Sequence, residues 1–148
     1  MKKHYILAVI AIIAVVAGII VNFKSITISE IRFFPKPFLI KEVKVTMYDS
    51  EKKDYHEPYL HIVDTDKYYD EVQEIHAALN SVKLRKKLIN NLGAVVAEEH
   101  IRVNVRGLSE QDFMLYIDGD ELVVERGEEA QAYNILDGEI TLDMLLAG

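Results

Sequence analysis

Residues 101–124 carry the pattern that decides the fold, and they read IRVNVRGLSEQDFMLYIDGDELVV. Apolar and polar side chains alternate over 101–105, and Phe113, Leu115 and Ile117 then alternate with Met114, Tyr116 and Asp118. Both patterns predict strands with one buried and one solvated face. Asp118-Gly119 is a strong two-residue hairpin signal between the second run and residues 122–124. The stretch therefore predicts an antiparallel meander.

A further strand pattern and a helix pattern precede this meander. Residues 39–48 alternate strictly, and residues 58–63 supply a partner strand after a polar loop. Apolar residues three or four apart then form one stripe of a helix over 66–82, and they are Tyr68, Val72, Ile75, Leu79 and Val82. We expect this stripe to face the sheet. The predicted fold class is α+β, with one small domain built from a mostly antiparallel sheet and one main packed helix.

Shorter segments complete the predicted domain. Residues 25–34 suit a first strand or an extended stalk. The apolar positions change phase over 84–92, which predicts a second short helix or an irregular turn that stops at Gly93. Residues 133–136 predict one more strand, and residues 140–146 predict a short closing helix.

An apolar run without charge occupies residues 5–21, reading YILAVIAIIAVVAGIIV. As a helix it would extend roughly 26 Å, near the lower limit for crossing a bilayer. An uncleaved membrane anchor is favoured by this length and by Tyr5 and Phe23 at the expected interfaces. A cleaved secretory signal is the second alternative, because Lys2 and Lys3 give the run a basic start. A buried core helix is the third.

The basic residues around this run favour one orientation. Two lysines and the terminal amine precede it, while Lys24 alone follows closely, so the amino terminus is expected in the cytoplasm. We predict a single-pass protein of the cell membrane with an anchor over 1–23, a juxtamembrane strand or stalk over 24–38 and an extracytoplasmic domain over 39–148. The alternative is a domain secreted after signal cleavage.

Charge and composition exclude several classes of protein. From Lys24 onward the chain holds all 24 acidic residues but only 15 of the 17 basic ones, a formal charge of −9. Nucleic acid is therefore not an expected partner, because its phosphates would be repelled. The chain contains no Cys, which excludes disulfides, Cys-ligated zinc, a thiol nucleophile and a lipid-modified Cys. Membrane lipid is the expected partner of the N-terminal run.

The histidines and carboxylates form no motif for catalysis or metal binding. His56, His61, His76 and His100 show no HExxH or His-x-His spacing. Residues 118–121 are too short for a calcium loop, and there is no G-x-S-x-G and no glycine-rich phosphate loop. We predict no catalytic, cofactor-binding or metal-binding residues, no cofactor and no enzymatic activity. The alternative is an envelope hydrolase or a metal-dependent enzyme with a dispersed site.

Two groups of residues are candidates for surface contacts. One is the basic cluster of Lys83, Arg85, Lys86 and Lys87. Such cations suit a solvated helix end, and near a bilayer they would also suit anionic headgroups, wall polymers or an acidic partner. The other group is aromatic and comprises Tyr55, Tyr59, Tyr68 and Tyr69, some of which we expect in the core.

The order of these patterns resembles that of a known family. The helix segment DTDKYYDEVQEIHAALNSVK precedes IRVNV, FMLYIDGDELVV, AYNIL and TLDMLL. Over roughly residues 40–146 this order is similar to small exported, YhfM-like domains of unknown function from Gram-positive bacteria, although the chain lacks the lipid-bearing Cys of their lipoprotein members. The resemblance implies a fold and an exported location and supplies no activity. The predicted function is a membrane-anchored extracytoplasmic module that binds, senses or has a structural role at the cell envelope, with an unidentified envelope protein or polymer as partner.

Overall fold

The structure of the protein is a computed structural model that describes residues 2–88, 99–108 and 111–146. Helix α1 spans Lys2–Phe23, and its stretch Lys2–Ile20 is long and apolar enough to cross a membrane. None of that stretch is buried against the rest of the described chain, so α1 is not a core helix. Its length and composition suit a membrane anchor, and a signal sequence shares both properties.

The domain is built on one antiparallel sheet, which has eight strands within the described ranges. The strands are β1 (Glu42–Asp49), β2 (Asp54–Tyr55), β3 (Leu60–Ile62), β4 (Lys83–Lys86), β5 (His100–Arg106), β6 (Phe113–Asp118), β7 (Glu121–Arg126) and β8 (Glu129–Asp137). Their order is β2-β1-β5-β6-β7-β8-β4, and β3 also pairs with β1. The long central strands β5 to β8 form the predicted meander of sequential neighbours.

The strand register assigns the two faces of this sheet. Val45 pairs with Val103, which pairs with Leu115, which pairs with Val124, and all four side chains are buried in the main core. We call this side the core face. The residues between them point to the opposite side, which we call the open face, because neighbours along a strand alternate in direction.

Two helices cover the core face. Helix α2 spans Tyr69–Asn80, and it buries the predicted stripe residues Val72, Ile75 and Leu79 in the main core. Helix α3 spans Leu142–Leu146, contacts α2 and adds the fully buried Leu145. The predicted α+β class, with an apolar N-terminal helix and an antiparallel sheet, is confirmed. The helix is shorter than predicted, since Tyr68 precedes it and exposes 40% of its surface.

The segment after α1 differs from the predicted strand or stalk. Ile26 forms an isolated antiparallel bridge with Leu84, through backbone hydrogen bonds of 2.8 and 2.7 Å. Short 3₁₀ turns follow at Ile28–Glu30 and Pro37–Leu39. These turns bring apolar side chains into the main core, namely Ile28, Phe34 and Ile40. The physical reason is that proline cannot donate to a strand ladder, whereas tight turns still direct apolar groups inward.

Strand β4 replaces the short helix or irregular turn predicted over 84–92. Leu84 is buried, whereas its neighbours Lys83 and Arg85 are not, and this alternation is typical of a strand. Strand β4 pairs with β8 at the end of the sheet. Backbone hydrogen bonding to β8, whose other side would lack a partner strand, makes this segment a strand. The predicted stop at Gly93 lies outside the described residues.

The predicted hairpin is confirmed, with its loop one residue later than the signal. Asp118 pairs with Glu121, so the loop residues are Gly119 and Asp120. Gly119 has a φ of +58°, a left-handed conformation that glycine adopts without steric cost. A glycine with positive φ at the first loop position is typical of type II′ hairpin turns.

Candidate functional site

The predicted basic cluster is divided between the two faces of the sheet. Arg85 pairs with Asn134 on the open face, whereas Lys86 pairs with Tyr133 on the core side. Lys87 follows the strand, and its ammonium donates a hydrogen bond to the Glu121 carboxylate. Alternation along a strand therefore separates cations that a helix end would have held together.

Lys83 lies at the start of β4, opposite Asp137, and its side chain is exposed. Lys87 already has an anionic partner, so two of the four cations stand next to acidic residues. The cluster is consequently not one continuous cationic patch, although Lys86 contributes to a cleft described below.

Three of the domain's histidines, His56, His61 and His76, make separate local contacts. His61 Nε2 lies 2.8 Å from Glu42 Oε1, and this hydrogen bond is the main reason that the pKa of the Glu42 carboxyl lies below its usual value. His56 Nε2 lies 3.7 Å from Asp49 Oδ2. Within the described ranges, no three His, Asp or Glu side chains are arranged to hold a metal ion.

His76 lies on α2 against the ring of Phe34, with 6.0 Å between ring centroids. Its Nε2 is buried without a hydrogen-bond partner among the described atoms. Burial lowers the pKa of the His76 imidazole, and a hydrogen bond to the Pro35 backbone only partly opposes this. His76 is thus a neutral packing residue at neutral pH.

The fourth histidine, His100, is the centre of an aromatic group on the open face. It is almost fully buried. Its ring stacks on Tyr48 at a centroid distance of 5.1 Å, and it meets Tyr55 and Tyr116 edge-on at 5.6 and 5.4 Å. The Tyr55 hydroxyl and His100 Nε2 are hydrogen-bonded at 3.0 Å. We call these four rings, together with Arg102, the open-face cluster.

Arg102 adds a positive charge to the open-face cluster. Its guanidinium carbon lies 3.6 Å from the centroid of the Tyr55 ring, which is within cation–π distance. Burial raises the pKa of the Tyr55 and Tyr116 phenols, and the nearby Glu125 carboxylate adds to the rise at Tyr116. Both phenols therefore remain neutral hydrogen-bonding groups at neutral pH.

Cross-strand pairing assembles the open-face cluster. Tyr48 is opposite both Tyr55 and His100, and Arg102 is opposite Tyr116. These residues come from four strands spread over about seventy positions of the chain. Of the residues in the open-face cluster, the sequence singled out only Tyr55 as a candidate for surface contacts; the other three tyrosines of that predicted group, Tyr59, Tyr68 and Tyr69, lie outside the cluster. The alternation along the strands indicated that the other cluster residues lie on the side opposite the core. It did not indicate which of them are neighbours, because no sequence pattern gives the register between strands.

Two adjoining clefts lie beside the end of α1. The larger, of about 690 Å³, extends from Lys24 to Phe33 and Arg126. The second, of about 360 Å³, shares Phe33 and Arg126 with it and continues to Phe38 and Leu108. Two smaller clefts of about 290 and 310 Å³ lie elsewhere. None of these four clefts between described residues is lined by two histidines.

Comparison with known proteins finds no matching family model, no curated relative and no solved structure that matches. The candidate sites are therefore defined by their geometry alone. In the open-face cluster His100 and Tyr116 are buried, whereas Tyr48, Tyr55 and Arg102 are half-buried. The ring edges and the guanidinium that remain accessible are groups suited to stacking and hydrogen bonding with a ligand. The clefts beside α1 offer cations next to exposed phenylalanines.

Proposed function

We propose that this chain is a single-pass membrane protein whose extracytoplasmic domain acts as a binding or sensing module at the cell envelope. The observation that carries the proposal is the course of the chain at α1. An apolar helix of 22 residues that the domain leaves uncovered leads, within three residues, into the bridge between Ile26 and Leu84. An uncovered apolar helix requires a nonaqueous environment.

The distribution of charge supports the orientation in this proposal. Lys2 and Lys3 precede the apolar run, whereas Lys24 alone follows it closely. The positive-inside tendency therefore favours a cytoplasmic amino terminus. The resemblance to YhfM-like exported domains agrees with this location and with a Gram-positive envelope.

The open-face cluster supports binding as the function of the domain. Its aromatic rings and Arg102 lie on the side of the sheet away from α2. Stacked aromatic and guanidinium groups on a sheet are typical of contact surfaces. An envelope protein or polymer is the proposed partner.

An enzyme is the second candidate function, and one contact favours it. His61 and Glu42 form a histidine–carboxylate pair at 2.8 Å with an exposed imidazole, which is the arrangement of a general base and its orienting group. Hydrolysis of ester or phosphoester substrates by the purified chain, lost in His61→Gln and retained in His4→Gln, would favour the enzyme over the binding module.

Single cysteines test the location, because the chain contains no Cys of its own. Asp120→Cys places a thiol at the exposed tip of the β6–β7 hairpin, and His4→Cys places one before the apolar run. In intact cells an impermeant maleimide should label Asp120→Cys and leave His4→Cys unmodified until lysis. The intact mass of the membrane-associated protein should include residues 2–23.

The opposite labelling pattern would reverse the orientation. A mature protein that begins after the apolar run would contradict the anchor and establish a cleaved signal. Recovery of the full-length chain in the soluble fraction would contradict the whole proposal.

A further inference from the structure

The clefts beside α1 collect positive charge on an acidic domain. Of the described residues that line the two adjoining clefts, five are basic and two, Glu30 and Glu129, are acidic. The basic residues are Lys24, Arg32, Lys36, Lys86 and Arg126. This local excess contrasts with the formal charge of −9 from Lys24 onward. We call these five cations, with the three apolar side chains described next, the juxtamembrane rim.

Three apolar side chains project from the same rim. Phe33, Phe38 and Leu108 expose 60, 67 and 66% of their surface, and all three line the second cleft. Phe33 adopts a φ of +66°, which is uncommon for a residue other than glycine. Such exposed rings beside cations are unusual on a face that contacts only water.

Cations hold the Phe33 ring in this exposed position. The guanidinium carbons of Arg32 and Arg126 lie 4.7 and 4.6 Å from the centroid of the Phe33 ring, within the range of cation–π attraction. Arg126 also lies 5.5 Å from the buried Phe113, so it links the exposed ring to the core. The rim thus combines an apolar projection with positive charge directly around it.

The short connection to α1 limits how far the rim can lie from a bilayer. Lys24 is the first residue after α1 and itself lines the larger cleft. Ile26 is already fixed to the sheet by its bridge with Leu84. Three extended residues from Phe23 reach about 11 Å at most. If α1 spans the membrane, the part of the rim at Lys24 lies within this distance of the end of the spanning helix.

We propose that the juxtamembrane rim docks the domain on anionic lipid headgroups at the outer surface of the same membrane that α1 spans. Phe33 and Phe38 enter the headgroup layer, where aromatic side chains are stable. The surrounding cations contact lipid phosphates. This inference rests on the proposed membrane anchorage and adds a fixed orientation of the domain, with a surface that recognises anionic lipid.

Single tryptophans test the docking in the full chain, which has no Trp. Phe38→Trp reports from the rim, and Tyr59→Trp replaces an exposed aromatic residue in the connection before β3. Each variant is incorporated into nanodiscs of phosphatidylcholine, with or without phosphatidylglycerol. We expect a blue-shifted emission and quenching by brominated lipid for Phe38→Trp when the anionic lipid is present. Tyr59→Trp should show neither effect.

Charge variants identify the groups responsible. Arg32→Gln/Lys36→Gln should abolish the response of Phe38→Trp to anionic lipid, and high salt should do the same because it screens the attraction. The matched control Lys52→Gln/Lys67→Gln removes two exposed cations that line neither cleft and should leave the response unchanged.

Each negative result has a defined meaning. If the chain incorporates into nanodiscs but Phe38→Trp stays as solvent-exposed as Tyr59→Trp, the docking is overturned and the anchor stands. If the chain does not incorporate, both proposals fail. A response of Phe38→Trp to soluble inorganic phosphate in phosphatidylcholine nanodiscs, equal to that with phosphatidylglycerol, assigns the cleft to a free anion and overturns docking on lipid.

Discussion

His76 illustrates how a single residue couples packing to pH. Its ring contacts Phe34, and its Nε2 has no hydrogen-bond partner among the described atoms. Burial lowers the pKa of the folded state below 6.5. The unfolded chain therefore binds more protons near that pH than the folded chain does, and acidification through about 6.5 favours unfolding. Above the unfolded pKa, His76 is neutral in both states and its pH-dependent effect disappears.

His76→Leu should reduce the pH dependence of stability on the acidic side of neutrality. The parent chain should lose more free energy of unfolding between about pH 7.5 and about pH 5.5 than the variant does, because leucine does not titrate. Denaturant unfolding in detergent at several pH values measures this difference. Gln73→Leu, on the exposed side of α2, should keep the parent's dependence. Equal slopes for His76→Leu and the parent would refute the role of this residue.

At the scale of elements, the stability of α2 depends on its buried stripe. The isolated helix has twelve residues, which is marginal for a helix in water. Val72, Ile75 and Leu79 expose 2% or less of their surface and join the core beneath the sheet. Tertiary contacts of these side chains thus decide that α2 is helical, more than its intrinsic propensity does.

Ile75→Asp should lower the free energy of unfolding by about 3 kcal/mol or more, because it buries an unpaired carboxylate in the core. Ala77→Asp is a matched control at an exposed position of the same helix and should cost about 1 kcal/mol or less. Thermal unfolding of the two variants, followed by circular dichroism, gives the comparison. Similar melting temperatures for both would show that Ile75 does not face the core.

At the scale of the whole molecule, the segment between α1 and β1 closes the core. Ile28 is fully buried, and Phe34 and Ile40 are nearly so. The same segment carries the exposed Phe33 and Phe38 on its outer side. One stretch of chain therefore completes the hydrophobic core and also forms much of the juxtamembrane rim.

Truncation of this segment distinguishes a structural part of the domain from a stalk. A chain that begins at Lys24 should unfold cooperatively, since it keeps Ile28, Phe34 and Ile40 in the core. A chain that begins at Lys41 loses these side chains and should be destabilised by several kcal/mol, at roughly 2 kcal/mol for each large side chain removed. Urea unfolding of the two soluble chains makes the comparison. Indistinguishable midpoints would establish that the segment is dispensable for folding.

Much of the architecture was predictable because hydrophobic periodicity is a local property. The alternation over 101–105 and 113–117 identified β5 and β6, and the stripe of Val72, Ile75 and Leu79 identified α2. The pattern failed at β4, where a short segment next to a free sheet edge was assigned to a helix or turn. It also failed after α1, where 3₁₀ turns bury side chains without a regular period.

The sequence by itself determined the apolar N-terminal helix, the acidic balance of the domain, the antiparallel meander and the main packed helix. Each of these depends on composition or on neighbours a few residues apart. Tertiary structure alone decided that the basic cluster is split between two faces and that Tyr48, Tyr55, His100, Arg102 and Tyr116 meet. It also decided that the cations of the juxtamembrane rim gather next to Lys24. The reason is that these groups are brought together by strand register and chain reversal, which depend on contacts between residues far apart in the chain.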